Sequence, residues 1–135
     1  MTLPVSGTFT YSYTGGTFPT DNLNASGSHT ATLSANFTAQ TVDVGVNASV
    51  GGSNMSATAS NVPIIQRTAF YADSRAPNAQ NLAVTCSGAC GTSHEGTIVG
   101  GFVGAGATGA MMTYGLEKIG GANAGVISGV AAFKR

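Results

Sequence analysis

Two histidines, two cysteines and five carboxylates are the side chains with chemical reach in this chain of 135 residues. Nucleophilic catalysis needs a Ser or Cys beside a His base that an acid orients. His94 stands between Ser93 and Glu95. Neighbours along a strand or turn project apart, so this trio makes no triad. A distant pairing of His29 with Asp43 has no pattern behind it, and both histidines read as surface residues flanking strands. Glycoside hydrolysis would need two facing carboxylates. Asp21 and Asp73 fall in turns, Asp43 lies on the polar face of a strand, and Glu117-Lys118 reads as a solvated hairpin end. Glu95 is left without a partner, so no carboxylate pair can be argued. The chain is therefore read as non-enzymatic, with no catalytic residue and no bound cofactor or metal.

Cys86 and Cys90 are separated by three residues. A thioredoxin-type redox motif has two. A zinc site needs more ligands than the nearby His94 and Glu95 supply. The favoured reading is a local Cys86–Cys90 disulfide clamping a Gly-rich turn, with a metal site or two free thiols as the alternatives. So short a loop gains little stability from closure; the bond would mainly stiffen the turn. Gly104-Ala-Gly-Ala-Thr-Gly109 matches the dinucleotide pattern G-x-G-x-x-G. That site also needs a βαβ unit and an acid some twenty residues on. No acid follows position 126, and 20 glycines make a chance match easy. The segment reads as a tight turn or short helical corner between strands. Four N-glycosylation patterns, beginning at Asn24, Asn36, Asn47 and Asn54, carry no weight in a chain so rich in Asn, Ser and Thr.

Strands must position these residues, because apolar and polar residues alternate with a period of two. Phe9, Tyr11 and Tyr13 form one such set. Ala31, Leu33, Ala35 and Phe37 form a second, and the alternate residues Val42 to Val50 a third. Met55, Ala57 and Ala59 form a fourth. Gly51-Gly52 reads as a hairpin turn. Shorter runs at Thr68–Ala72 and Leu82–Cys86 follow, then three strands within the last forty residues. The expectation is all-β: an antiparallel up-and-down barrel of eight strands, or nine, over residues 1–135 as one domain. The long first (about 5–13) and last (about 125–134) strands would pair to close it and hide its edges. The inward Phe, Tyr, Val, Leu, Met and Ala would fill the interior. Residues 14–28 form a long loop, in which Phe18 and Leu23 are read first as a plug for one barrel end and second as exposed contact residues.

Composition narrows the function. Charged residues make up 7% of the chain, and the formal net charge is zero; ordinary soluble domains carry about 25% charged residues. Hydroxyls and amides supply the polarity instead, as is common in exported β proteins. Nucleic acid is set aside because no Lys/Arg cluster is present to neutralise phosphates, and anionic membrane surfaces are disfavoured for the same reason. No run of eighteen apolar residues predicts a transmembrane helix. Met1–Val5 has neither a basic nor an apolar signal region. The chain reads as a domain excised from a longer exported protein. At this length roughly two-thirds of the unfolded surface can be buried, so a real core is expected.

Gly101-Phe-Val-Gly-Ala-Gly-Ala107 resembles the glycine-rich signature around a Phe in the barrel domains of transferrin-binding-protein-B-like surface lipoproteins. The signature residues are Gly101, Phe102, Gly104 and Ala107. The similarity is closer to the barrel at the C-terminus of some bacterial FecR-domain proteins, where a Cys pair precedes the signature and Gly-Val-Ala-Ala-Phe-Lys closes the chain, here Gly129–Lys134. The specific part covers about residues 84–135; residues 5–72 agree in strand pattern only. The resemblance implies an eight-stranded barrel exported by a Gram-negative bacterium, at the cell surface, outer membrane or periplasm. Relatives bind host proteins or haem through loops and appended handles. With short loops and no handle here, no binding residue is carried over. The expected function is an extracytoplasmic, non-enzymatic module that binds a protein partner or serves a structural role. One alternative is a carrier of haem or another apolar molecule, with His29, Tyr11, Tyr13 and Met55 as conceivable contacts. A second is a small outer-membrane barrel, opposed by the absence of Trp and of aromatic girdles. If the interior is filled, loops 14–28, 73–79 and 87–95 are the expected contact surface. The sequence leaves the oligomeric state open.

Overall fold

The computed structural model describes residues 2–75 and 82–135. Its strands are β1 (Thr8–Gly16), β2 (Thr20–Asp21), β3 (Ser28–Asn36), β4 (Thr41–Val50), β5 (Ser53–Pro63), β6 (Ala69–Asp73), β7 (Ala83–Gly88), β8 (Ser93–Val103), β9 (Gly109–Ile119) and β10 (Gly125–Lys134). The fold is all-β and antiparallel. Nine strands follow one hydrogen-bonded path, β6-β8-β9-β10-β1-β3-β4-β5-β7, and β2 joins β10 beside it. The β4–β5 hairpin turns at Gly51 and Gly52, with φ of 57° and 82°. Left-handed geometry at both central positions is what a tight two-residue hairpin turn requires, and glycine supplies it at least cost.

The first and last strands pair, with Ser12 opposite Lys134 and Tyr13 opposite Phe133. Closure nevertheless fails elsewhere, which corrects the expectation of a closed eight-stranded up-and-down barrel. The two short central runs were expected to sit side by side in the meander. Instead, among the described residues, β6 pairs only with β8, and β7 pairs only with β5. The path ends at these two strands. The result is a curled sheet, a half-barrel in its hydrogen bonding, in which β6 lies against β5 and β7 against β8 without a ladder.

The concave side is packed. Leu33, Phe37, Val46, Met55, Phe70, Ile98 and Leu116 are all buried to 2% exposure or less. Phe102 stands at the centre of an aromatic cluster with Tyr11, Phe37 and Phe70, ring centroids 5.2–5.8 Å apart. Such tilted pairs add roughly 0.5–1.5 kcal/mol each beyond their area burial. Gly100 makes this possible on β8, because a Cβ there would meet the Phe70 ring at 2.2 Å. The signature segment turns the corner from β8 to β9 through a single 3-10 turn at Ala105–Ala107. There the Ala107 carbonyl accepts the buried Tyr11 hydroxyl at 2.6 Å. Phe102 and Ala107 are thus core residues and Gly104 a turn residue with φ of 79°.

Candidate binding cleft

β1 is shared between two neighbours. Its first half, Thr8–Tyr11, pairs with Leu33–Asn36 of β3. From Ser12 onward it pairs with β10 instead, and the register shifts between Tyr13 and Gly15. A bulge of this kind bends a strand and re-aims its side chains. The sheet therefore splits beyond the Tyr11–Leu33 pair, and residues 17–27 occupy the gap. They are not a free loop. Thr17 N–H donates to the Val130 carbonyl at 3.1 Å, and Thr17 Oγ1 accepts from Val130 N–H at 3.1 Å. β2 then continues along β10 at Ile127 and Ser128. The Asp21 carboxylate holds the turn by accepting from Leu23 N–H and Ala25 N–H, both at 2.9 Å. Pro19 is the buried residue of this segment; Phe18 is 78% exposed and Leu23 75%. The plug reading of Phe18 and Leu23 is corrected accordingly. The turn is secured by backbone bonds and Pro19, which frees both side chains for solvent.

The split leaves a cleft of about 210 Å³ lined by Tyr13, Gly15, Gly16, Phe18, Pro19 and His29, among others. The Tyr13 hydroxyl lies 2.9 Å from His29 Nε2, and His29 Nδ1 meets the Tyr114 hydroxyl. Tyr114 is buried, and Gly129 opposite it leaves room for the phenol, since a Cβ there would lie 2.4 Å from its oxygen. A buried O–H without an acceptor is costly. Tyr114 therefore donates to Nδ1, and the ring proton of His29 sits on Nε2, donating to Tyr13. Burial holds His29 below its ordinary pKa, and burial, with Tyr13 nearby, pushes Tyr114 above its own. Both favour the neutral forms that this hydrogen-bond relay uses.

Of the contacts considered for a carrier, the structure brings together Tyr13 and His29 alone. Tyr11 and Met55 lie in the core, 3% and 2% exposed. His94 is exposed at the start of β8, opposite Lys118 of β9. Cys86 and Cys90 form the disulfide, with an S–S distance of 2.04 Å. Of the contact loops considered, 87–95 includes the disulfide turn and the start of β8, whereas residues 76–79 of loop 73–79 lie outside the described residues.

Three groupings escaped the sequence. Asp73 is not in a turn but is a buried end residue of β6, 4% exposed. It accepts from Arg75 Nε and Nη2 at 3.1 and 3.2 Å and from the Tyr71 hydroxyl at 2.5 Å. The Arg75 guanidinium holds its pKa at about 2. Glu95 faces Glu117 directly across β8 and β9. Desolvation, then the hydrogen bond with Glu117, raises the Glu95 pKa. Glu117 is thus one of a facing pair rather than an isolated hairpin end. Lys118 is also no solvated residue: it is 7% exposed and donates to Ser53 Oγ at 2.7 Å, and Ser53 donates to the Ala89 carbonyl at 2.5 Å. A Ser–Lys dyad can run nucleophilic chemistry. Ser53 is completely buried, so this pair ties β9 to the disulfide turn and reaches no substrate. Register alone brings Glu95 to Glu117 and Lys118 to Ser53, whereas Tyr71, Asp73 and Arg75 stand two positions apart, the spacing of same-face neighbours on a strand.

Among the described residues, no three His, Cys, Asp or Glu side chains gather to hold a metal, and no helix is long and apolar enough to cross a membrane. No family model, curated protein or solved structure matches the chain. The functional reading rests on the cleft's geometry.

Proposed function

We propose that the chain is a non-enzymatic, extracytoplasmic binding module that receives one side chain of a protein partner in the cleft between β1 and β3. The carrying observation is size. The cleft offers about 210 Å³, whereas pockets for drug-sized ligands run to about 300–1,000 Å³. A single ring or branched aliphatic side chain fits, and Phe18 lines it as an exposed apolar contact. Protein interfaces concentrate their energy in such anchor pockets. The Cys86–Cys90 disulfide supports an oxidising compartment. The resemblance of Gly101–Ala107 to surface-lipoprotein barrels points the same way, to the envelope of a Gram-negative bacterium.

A haem carrier is less well supported, because both His29 ring nitrogens are already engaged by tyrosines. An outer-membrane barrel is disfavoured by the outward residues of β3, β4 and β5, which are mainly Ser, Thr and Asn; a lipid-facing surface is apolar.

The test is a nuclear magnetic resonance titration with p-cresol and isobutanol as ring and branched probes, run beside a haemin titration. The expected result is shifts confined to Tyr13, His29 and residues 15–19, at least tenfold weaker binding in Phe18→Ala, and no Soret change. Shifts scattered over the surface, or a Soret band lost in His29→Ala, would overturn the reading.

A further inference from the structure

The outward face of β6, β8, β9 and β10 differs from the rest of the surface. Tyr71, Val99, Val103 and Met111 project from it, each 40–49% exposed. Register makes them neighbours: Tyr71 lies opposite Val99, Val99 opposite Thr113, and Thr113 opposite Val130. Gly101 and Gly109 leave the face low between them. Among the described residues nothing covers it.

Its two ends carry opposite charge. At one end stand Glu95 and Glu117, with Asp73 beside them and Arg75 as the one cation, 3.6 Å from Glu95. At the other end Lys134 lies opposite Gly109, exposed and in no ion pair among the described residues. Glu117 and Gly109 are eight residues apart on β9, or about 27 Å along the strand. Thr113 lies midway, beside Val99 and Val130.

We infer that this face pairs with the same face of a second copy about a two-fold axis near Thr113. Such an axis reverses the strand direction. It lays the Lys134 end of each copy over the Glu95–Glu117 end of the other, Val99 over the other Val99, and Met111 over the other copy's Gly115, where no side chain stands in its way. In an isologous interface every contact made once is made twice, so one charge match is formed at both ends. The pairing also brings a second cation to Glu95 and Glu117 beside Arg75, because each pair receives the other copy's ammonium. With a width of roughly 19 Å for four strands, the face offers about 500 Å² per copy. About 1,000 Å² in total is the low end for a specific contact, so the dimer is weak and concentration-dependent.

Sedimentation velocity from about 1 to 500 µM tests this. The expected result is a monomer–dimer equilibrium that weakens as salt rises, since two charge matches contribute. Val99→Lys should leave monomer throughout while circular dichroism and thermal midpoint stay close to wild type. Lys134→Glu should weaken association at least tenfold, and adding Glu117→Lys in the same chain should restore it, because the swap rebuilds the match across the axis. A monomer at every concentration overturns the inference. So does a dimer untouched by Val99→Lys, or a monomer that instead binds phosphatidylcholine–phosphatidylglycerol vesicles through this face.

Discussion

The strands β3–β5 and β8–β10 are built alike inside and differently outside. Both bury alternate apolar residues: Ala31, Leu33, Val44, Val46, Met55 and Ala57 on one side, Ile98, Phe102, Met112, Leu116, Ile127 and Phe133 on the other. Outward, the first half shows Thr30, Thr32, Asn47, Ser56 and Thr58, whereas the second shows Val99, Val103, Met111 and Val126. The inward set is fixed by the need for a core, so it resembles itself across the molecule. The outward set is free to vary, and its difference marks where the surface has work other than solubility. Lone exposed apolar residues are ordinary; a contiguous set on one face of a sheet, opposed by a hydroxyl-rich face on the other half, is not.

The sharpest way to break the comparison is to make one change in both halves. Gly100 on β8 and Gly45 on β4 both sit mid-strand. A Cβ at Gly100 meets the Phe70 ring at 2.2 Å and the Met111 carbonyl oxygen at 2.7 Å. At Gly45 it meets the Thr32 hydroxyl at 2.9 Å and the Thr58 methyl at 3.4 Å, on the outer face. Gly100→Val should cost about 3 kcal/mol or more through overpacking. Gly45→Val should cost about 1 kcal/mol or less, because exposed threonines can rotate away. Urea unfolding of the two variants decides it; equal losses would mean that the two halves are not packed as described.

A smaller effect separates their acids. Asp73 closes β6 with Arg75 and Tyr71, while Asp43 on β4 is exposed and accepts Asn61 N–H at 2.8 Å. The Asp73 pKa is held at about 2, below the ordinary 3.8. A carboxylate depressed on folding contributes its stability in full above the ordinary value and loses it as pH falls toward the folded one. Stability should therefore fall by about 1–2 kcal/mol between pH 4 and 2, and Asp73→Asn should abolish that slope. Asp43→Asn keeps a carbonyl to accept from Asn61 and should leave the slope in place. Denaturation midpoints across that pH range distinguish the two.

His29 offers a further pH test at the join of the two halves. Its pKa is lowered by burial, so the unfolded chain takes up the proton first as pH falls below about 6.5. Its contribution is present above that value and lost on acidification, as protonation at Nδ1 displaces the Tyr114 O–H bond. His29→Gln should flatten the stability profile between pH 7 and 5 relative to wild type.

These contrasts also show what could be read from sequence. Period-two alternation placed β3, β4 and β5 and their inward residues, because a half-buried strand writes its burial into its own residues. The Gly51–Gly52 hairpin and the corner at Gly104–Gly109 were legible for the same reason: local backbone geometry selects glycine. The split of β1 between β3 and β10 was not. Tyr13 continues the alternation of Phe9 and Tyr11 without interruption, yet its ladder partner changes. The division of β6 and β7 between β8 and β5 was hidden likewise, and with it the failure of the barrel to close. Pairing choice is set by distant strands and leaves no mark at the residue itself. The cleft inherits that blindness: His29 and Tyr114 are 85 positions apart, and no spacing rule joins them.

The smallest expected effects are the most informative about the outer faces. Val99→Thr and Thr32→Val exchange the outward character of the two halves at positions of similar strand context. Exposed substitutions on a sheet change stability by roughly 0.5 kcal/mol or less, and threonine and valine share a β-branched shape and strand preference. The thermal midpoints of both variants should therefore stay within a few degrees of wild type. Association should not. Val99→Thr removes an apolar group beside the inferred two-fold axis and should weaken the dimer several-fold, whereas Thr32→Val adds one on the far side and should leave dimer affinity unchanged. If Thr32→Val instead promotes association as strongly as Val99→Thr reduces it, surface hydrophobicity alone governs self-contact. The difference between the two faces would then carry no positional meaning.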